Sequence, residues 1–330
     1  METRRPTNPA AEEILGQYFP VLDHGFVALV DYMGSDESIE RAARVSYGYG
    51  TRHSSRTRGL IRYLRRHRHT TPSEMVELKF HCAMPMFVAR QWIRHRTANV
   101  NEYSGRYSLM PLLFYTPASA DFALQSPQNN QGRADTTADP ALYAEAVARW
   151  ERLRAEASEL YGWLVSEDVA RELARIELPL SMYTQWYWKI DLHNLLHFLT
   201  LRVDPHAQLE IRRYAEVMAG MVRRVAPMAF EAWLDYDVCG THLSRGELDA
   251  VRQLVDVAGD GVAARDGTRL GAEALAGFDL SGREVRELLE KLRPASRPDF
   301  ELDLATMRPP EEIEALMSAA VPQVERKPAE

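Results

Sequence analysis

Residues 76–82 alternate apolar and polar side chains without a break. Val76, Leu78, Phe80 and Cys82 fall on one side, and Glu77, Lys79 and His81 on the other. A period of two marks a strand with one buried face. Such a strand needs partners at its edges and an apolar layer over that face. Pro85 fits the first turn of a helix over residues 86–94. Two further segments read as strands: 26–32 (FVALVDY) and the aromatic run 180–190 (LSMYTQWYWKI). Residues 107–115, closed by Pro117, read as another, and 99–107 read as a loop.

Helices lie between these strands. Ser35 and Asp36 offer an N-cap for a helix through Ile39, Ala42, Ala43 and Val45. Residues 57–68 place Leu60, Ile61 and Leu64 on one face and arginines on the other. A long helix is expected over 140–164, with a shorter one restarting at 166–168 towards Arg175. Asp191 caps a helix over 192–202, and Asp204-Pro205 opens the next, over 206–224. Strands interspersed with long helices predict an α+β domain, with a mainly antiparallel central sheet flanked by the helices.

At 330 residues and 45% hydrophobic composition the chain can bury a sizeable core. The expected division is one domain over 1–244 and an extension over 245–330, partly helical and fraying at its end. Residues 118–139, rich in Ser, Gln, Asn, Asp and Pro, read as a surface insertion. No apolar run approaches the roughly 18 residues of a membrane span. The first eleven residues lack the apolar stretch of a signal peptide. Cys82 and Cys239 are the only cysteines, without CxxC spacing, which favours a reducing compartment, the cytoplasm. The formal net charge is −7, yet residues 52–69 hold seven arginines and no acid. That block suits either an anionic ligand or a solvated helix face.

The chemistry concentrates at residues 90–106, RQWIRHRTANVNEYSGR. Arg94, His95 and Arg96 are followed by Asn101, Glu102, Ser104 and Arg106. Guanidinium forks grip phosphate in two places. Backbone around Gly105 can approach a phosphate closely, and an amide and a carboxylate can read a uracil or flavin edge. A salt-bridged, capped surface loop would use the same residues.

The stretch from Arg94 to Arg106, RHRTANVNEYSGR, resembles the signature RHRxxSxNExSxR of flavin-dependent thymidylate synthases, with Asn99 in place of the first Ser. The likeness runs over roughly residues 15–243. It implies reductive methylation of dUMP to dTMP, with FAD as cofactor and NADPH and 5,10-methylenetetrahydrofolate as co-substrates. It also implies a homotetramer whose sites are shared between subunits. The dUMP contacts so implied are Gln91, Trp92, Ile93 and Arg94 at a helix end, then Glu102, Tyr103, Ser104, Gly105 and Arg106. Arg175 would reach the nucleotide from a partner subunit, and Arg202 would polarise the pyrimidine, the catalytic role. Implied flavin contacts are Ser46, His69, Thr71, Glu74, Arg94, His95, Arg96, Asn101, Glu102, Asp191, Leu192, His193, His197 and His206. No metal, nucleic acid or membrane enters this reading. Two other readings stay open: a metal-dependent hydrolase using His193, His197 and His206 with Asp191, and an RNA-binding protein using residues 52–69.

Overall fold

The computed structural model describes residues 5, 7–46, 57–127, 132–243 and most of 248–293. Its centre is a five-stranded sheet in the order β1-β2-β3-β7-β4. The strands are β1 (Tyr18–Val21), β2 (Gly25–Met33), β3 (Glu77–Pro85), β4 (Asn99–Glu102) and β7 (Tyr183–Asp191), and every pairing is antiparallel. The α+β expectation holds.

The alternation of β3 sets the register. Leu78 faces Ile190, Phe80 faces Trp188 and Cys82 faces Trp186, while Val27 and Leu29 of β2 continue the Cys82 and Phe80 rows. These side chains share one buried face. Two helices cover it: α7 (Leu192–Arg202) and α8 (Leu209–Val225), through Leu195, Phe198, Leu199, Tyr214 and Met218 among others. Burying each such side chain is worth about 1.5–3 kcal/mol. The opposite face carries the polar half of the alternation: His81 stacks on Tyr187 at 4.7 Å and Lys189 pairs with Glu77 at 3.1 Å. Gly25 is required where β2 passes under α8. A Cβ there would lie 2.1 Å from the Tyr214 hydroxyl, which donates to the Ala83 carbonyl.

Around the sheet lie α1 (Pro9–Glu12), α2 (Asp36–Val45), α3 (Thr57–Arg66), α4 (Met86–Trp92), α5 (Pro140–Ser166), α6 (Arg171–Ala174) and α9 (Pro227–Trp233). Ser35 and Asp191 cap α2 and α7 as expected, Asp191 accepting from the Asn194 amide at 3.0 Å.

Several expectations are corrected. Residues 99–102 form an edge strand, not a loop; all four side chains are exposed, so no alternation announced it. Residues 107–115 form no strand: Leu112 has φ +40°, and Phe114 makes only a lone bridge to Met182. The long helix runs on to Ser166, Asp168 turns the chain with φ +59°, and α6 is only four residues. The helix expected from 206 begins at Leu209, because Asp204 holds the His206 amide in a turn at 2.8 Å. The 118–139 insertion contains the hairpin β5 (Ala123–Gln125) and β6 (Arg133–Thr137), residues 128–131 lying outside the described ones. Arg133 ties it to the buried Glu210 of α8 at 2.9 Å.

Four arginines of the block, Arg58, Arg62, Arg65 and Arg66, are bonded to residues 231–237. On α3, Arg58 and Arg62 bond Glu231, Arg62 also bonds Asp235, and Arg65 bonds Asp237 at 2.6 Å. Arg66 reaches the Tyr236 hydroxyl. The Arg58 hydrogen bond holds the Glu231 carboxyl below its usual range. Arg62 is itself buried, so the arginines do not simply line a solvated face. Arg52 and Arg56 lie outside the described residues.

By contacts the chain divides into Met1–Thr241 and His242–Glu330. The second unit is not merely partly helical. It holds an antiparallel sheet of β8 (Val255–Ala258), β9 (Gly261–Ala264) and β10 (Arg269–Leu270), with α10 (Ala272–Ala276) and α11 (Gly282–Leu292). Leu275, Val285 and Leu289 form its core. Among the described residues no helix is long and apolar enough to cross a membrane.

Candidate active site

Trp92 ends α4 with its ring wholly enclosed, 5.3 Å from Trp188, 5.1 Å from Phe198 and 5.8 Å from Tyr214. The ring is core. Its service is to pin the chain that follows. The His95 amide donates back to the Trp92 carbonyl at 3.0 Å, so Ile93, Arg94 and His95 leave a fixed point.

His95 meets the end of α7. Arg202 Nε donates to His95 Nε2 at 3.2 Å, and the imidazole also sits edge-on to Phe198 at 4.8 Å and faces His197 at 6.3 Å. Burial, Arg202 and His197 together lower the His95 pKa to about 4, so the ring is neutral near pH 7. Burial and the neighbouring Arg94 pull the Arg202 pKa below its ordinary value. Among the described residues no carboxylate pairs with Arg94, Arg96, Arg175 or Arg202. Arg94 and Arg202 thus lie near each other without a carboxylate partner, a local concentration of positive charge.

The second half of the motif lies along β4 and the turn after it. Glu102 accepts from the buried Thr184 hydroxyl at 2.8 Å, and Asn101 is exposed opposite Tyr187. The Tyr103 amide donates to the Gln185 carbonyl at 2.9 Å and its hydroxyl to the Leu109 carbonyl, closing the loop. The Ser104 hydroxyl accepts from the Arg106 amide at 3.3 Å. Gly105 is buried under Arg175: a Cβ there would lie 3.0 Å from Arg175 Nη1 and 2.5 Å from Met110 Sδ. Arg175 therefore reaches this turn within its own chain. Arg106 is held by Glu172 at 2.8 Å, a half-exposed pair worth about 0–1 kcal/mol that an anionic ligand can displace. Gln91 bonds Gln208.

A cavity of about 540 Å³ opens between the end of α2, α3 and the turn Thr71–Met75. Ser46, His69 and Thr71 line it together, as three of the expected flavin contacts; Glu74 sits on the same turn but not in the lining. Ala42, Tyr63, Leu64 and Met75 also line it; Ala42 and Leu64 were expected only as apolar helix faces, and Tyr63 and Met75 not at all. Tyr63, set among arginines and within 5.9 Å of the His69 ring, was the available signal.

Helix α7 packs its beginning on that turn, the Leu192 amide bonding the Val76 carbonyl at 2.7 Å, and carries Arg202 at its far end. Eleven residues separate the two features by about 15 Å. Leu192 is fully buried and Asp191 is spent on its cap, so neither offers a free side chain. His193 Nδ1 is enclosed without a hydrogen-bond partner. His206 pairs with Asp204 at 2.9 Å and joins neither group. Among the described residues no three His, Cys, Asp or Glu side chains form a metal-ligating cluster. Cys82 is buried and its thiol pKa pushed well up by burial; Cys239 is exposed and takes no part in either group. The residues present are compatible with a flavin nucleotide: Ser46, Tyr63, His69 and Thr71 line a cavity with polar and aromatic groups, and His193 Nδ1 is enclosed without a partner.

Comparison with known proteins bears on the whole arrangement. The family model described as thymidylate synthase complementing protein matches residues 28–228. A flavin-dependent thymidylate synthase of Ruegeria pomeroyi is 52% identical over 261 residues, covering 77% of this chain and 85% of that one. The enzyme of the same name from Gluconobacter oxydans is 54% identical over 258 residues, covering 76% and 84%. Among solved structures, the UMP/dUMP methylase PolB of Streptomyces cacaoi bound with 5-Br dUMP superposes with a TM-score of 0.60 at 32% identity, over 66% of this chain and 98% of that one. On this family match and this degree of identity, the chain belongs to the thymidylate synthase complementing proteins, the flavin-dependent thymidylate synthases.

Proposed function

We propose that this protein methylates dUMP to dTMP in the cytoplasm, with FAD, NADPH and 5,10-methylenetetrahydrofolate, as a homotetramer sharing sites between subunits. The observation that carries the reading is the Arg94–His95–Arg202 group, a cationic cluster with no carboxylate partner among the described residues.

The chemical problem is to make C5 of uracil nucleophilic. No cysteine belongs to either group of site residues, so charge stabilisation must serve instead. Arg202 at the O2/N3 edge of the pyrimidine stabilises the negative charge that gathers there as C5 attacks the one-carbon unit. Arg175 and the Ser104–Gly105 turn hold the phosphate, with Arg106 released from Glu172 to join them, and Arg94 adds charge. Their contribution is orientation of the ring. Ser46, His69, Thr71 and His193 hold the flavin, which when bound supplies the hydride chemistry that side chains lack.

The test is a spectrum and an assay. Purified protein should show flavin absorption and form dTMP from dUMP with both co-substrates, before and after treatment with a chelator. Absence of dTMP formation with FAD supplied overturns the reading, as does its loss to chelator while flavin is retained.

A further inference from the structure

The Arg202 side chain makes one hydrogen bond among the described residues, from Nε to His95 Nε2 at 3.2 Å. Nε–H can only donate, so His95 Nε2 must offer its lone pair, and the neutral ring carries its proton on Nδ1. Anchored by Nε, the guanidinium keeps Nη1 and Nη2 uncommitted, a pair of parallel donors pointing away from the anchor. The imidazole has little freedom of its own. Its backbone amide is tied to the Trp92 carbonyl at 3.0 Å and its ring abuts Phe198 at 4.8 Å. The charged or titratable groups facing it are Arg202 and His197 of α7 and Arg94 beside it, so protonation would set a further positive charge against them. It would also turn the acceptor into a donor pointed at a donor.

We infer that His95 is the positioning residue of Arg202, a neutral imidazole that accepts the Nε–H and so aims Nη1 and Nη2 at the pyrimidine edge. The inference rests on the proposed function and adds to it a requirement: the His95 side chain must accept. It acts on the reacting ring only through Arg202.

The experiment is a double-mutant cycle on the full chain with saturating FAD: His95→Leu, His95→Gln, Arg202→Ala and His95→Leu/Arg202→Ala. Flavin reduction, kcat and KM for dUMP are measured separately. His95→Leu should lower kcat about 10- to 100-fold, a share of what loss of one such donor costs, with KM for dUMP little changed and flavin reduction, at saturating FAD, lowered much less than turnover. His95→Gln, whose amide oxygen can accept, should recover most of that loss and lack the acid limb that imidazole protonation imposes on the wild-type kcat profile. The double variant should be no slower than Arg202→Ala alone. Additive losses in the cycle overturn the inference, as does His95→Leu slowing flavin reduction as much as turnover, or His95→Gln doing no better than His95→Leu. A wild-type chain that forms no dTMP removes the functional reading and the inference with it, whereas an active chain with additive losses removes the inference alone.

Discussion

Two arginine-rich stretches of this chain look alike as text and differ as structure. On α3 the arginines lie against Glu231, Asp235 and Asp237, acids about 170 positions downstream. At residues 94–106 and 202 the arginines face few acids, and Arg202 rests on a neutral histidine. The first set is a clasp between helices; the second is stored positive potential. What separates a structural arginine from a ligand-binding one is the company that folding brings, and a local count of charges carries none of it.

The largest effect should come from Arg202→Ala. With Arg202 acting on the pyrimidine as proposed, its loss predicts a fall in kcat of about 100- to 1,000-fold, with flavin reduction retained. Arg202→Lys should recover little, since an ammonium cannot offer two parallel donors. A normal kcat with only a raised KM would move ring activation elsewhere. Arg62→Ala probes the other stretch. It leaves Glu231 and Asp235 short of a buried partner, so thermal or urea unfolding should show a loss of about 2 kcal/mol, with kcat of the folded enzyme unchanged within about twofold. A large kcat defect without loss of stability would erase the distinction between the two stretches. Arg106→Ala falls between them: KM for dUMP should rise about tenfold at nearly constant kcat, while Glu172→Gln, which frees Arg106, should lower KM slightly.

A further effect is on pH. Folding lowers the His95 pKa from 6.5 to about 4, so between those values the unfolded chain binds the extra proton. Stability then rises with pH across that window, and His95 contributes fully only above it. Acidification from pH 6.5 towards 4 should cost wild type stability that His95→Gln does not lose, read as a difference between their unfolding curves.

The parts of the fold that were legible had a period or a cap. The alternation of residues 76–82 announced β3, and Asp191 announced the start of α7. β4 was silent because an edge strand with four exposed residues has no apolar side to display. Trp92, in the stretch that the resemblance assigns to the nucleotide, turns its ring the other way. It sits two residues before Arg94, and neighbours in sequence suggest a shared task, yet its ring packs into the core while the next residues leave it. The motif residues were recognisable because their types are fixed by chemistry. Their partners were not: Glu172 lies 66 positions from Arg106 and Thr184 lies 82 from Glu102, distances over which sequence keeps no record of contact.

The aromatic packing around Trp92 has a further consequence for anyone who alters this enzyme. One ring joins the sheet, α7 and α8 to the segment that carries Arg94 and His95, so the interior acts as the mount on which that proposed site is aligned. A trimmed Phe198 or Tyr214, far from any substrate in the chemical sense, would slacken that mount. Such changes should be heard first as a slower reaction and only later, on warming, as a lower melting point.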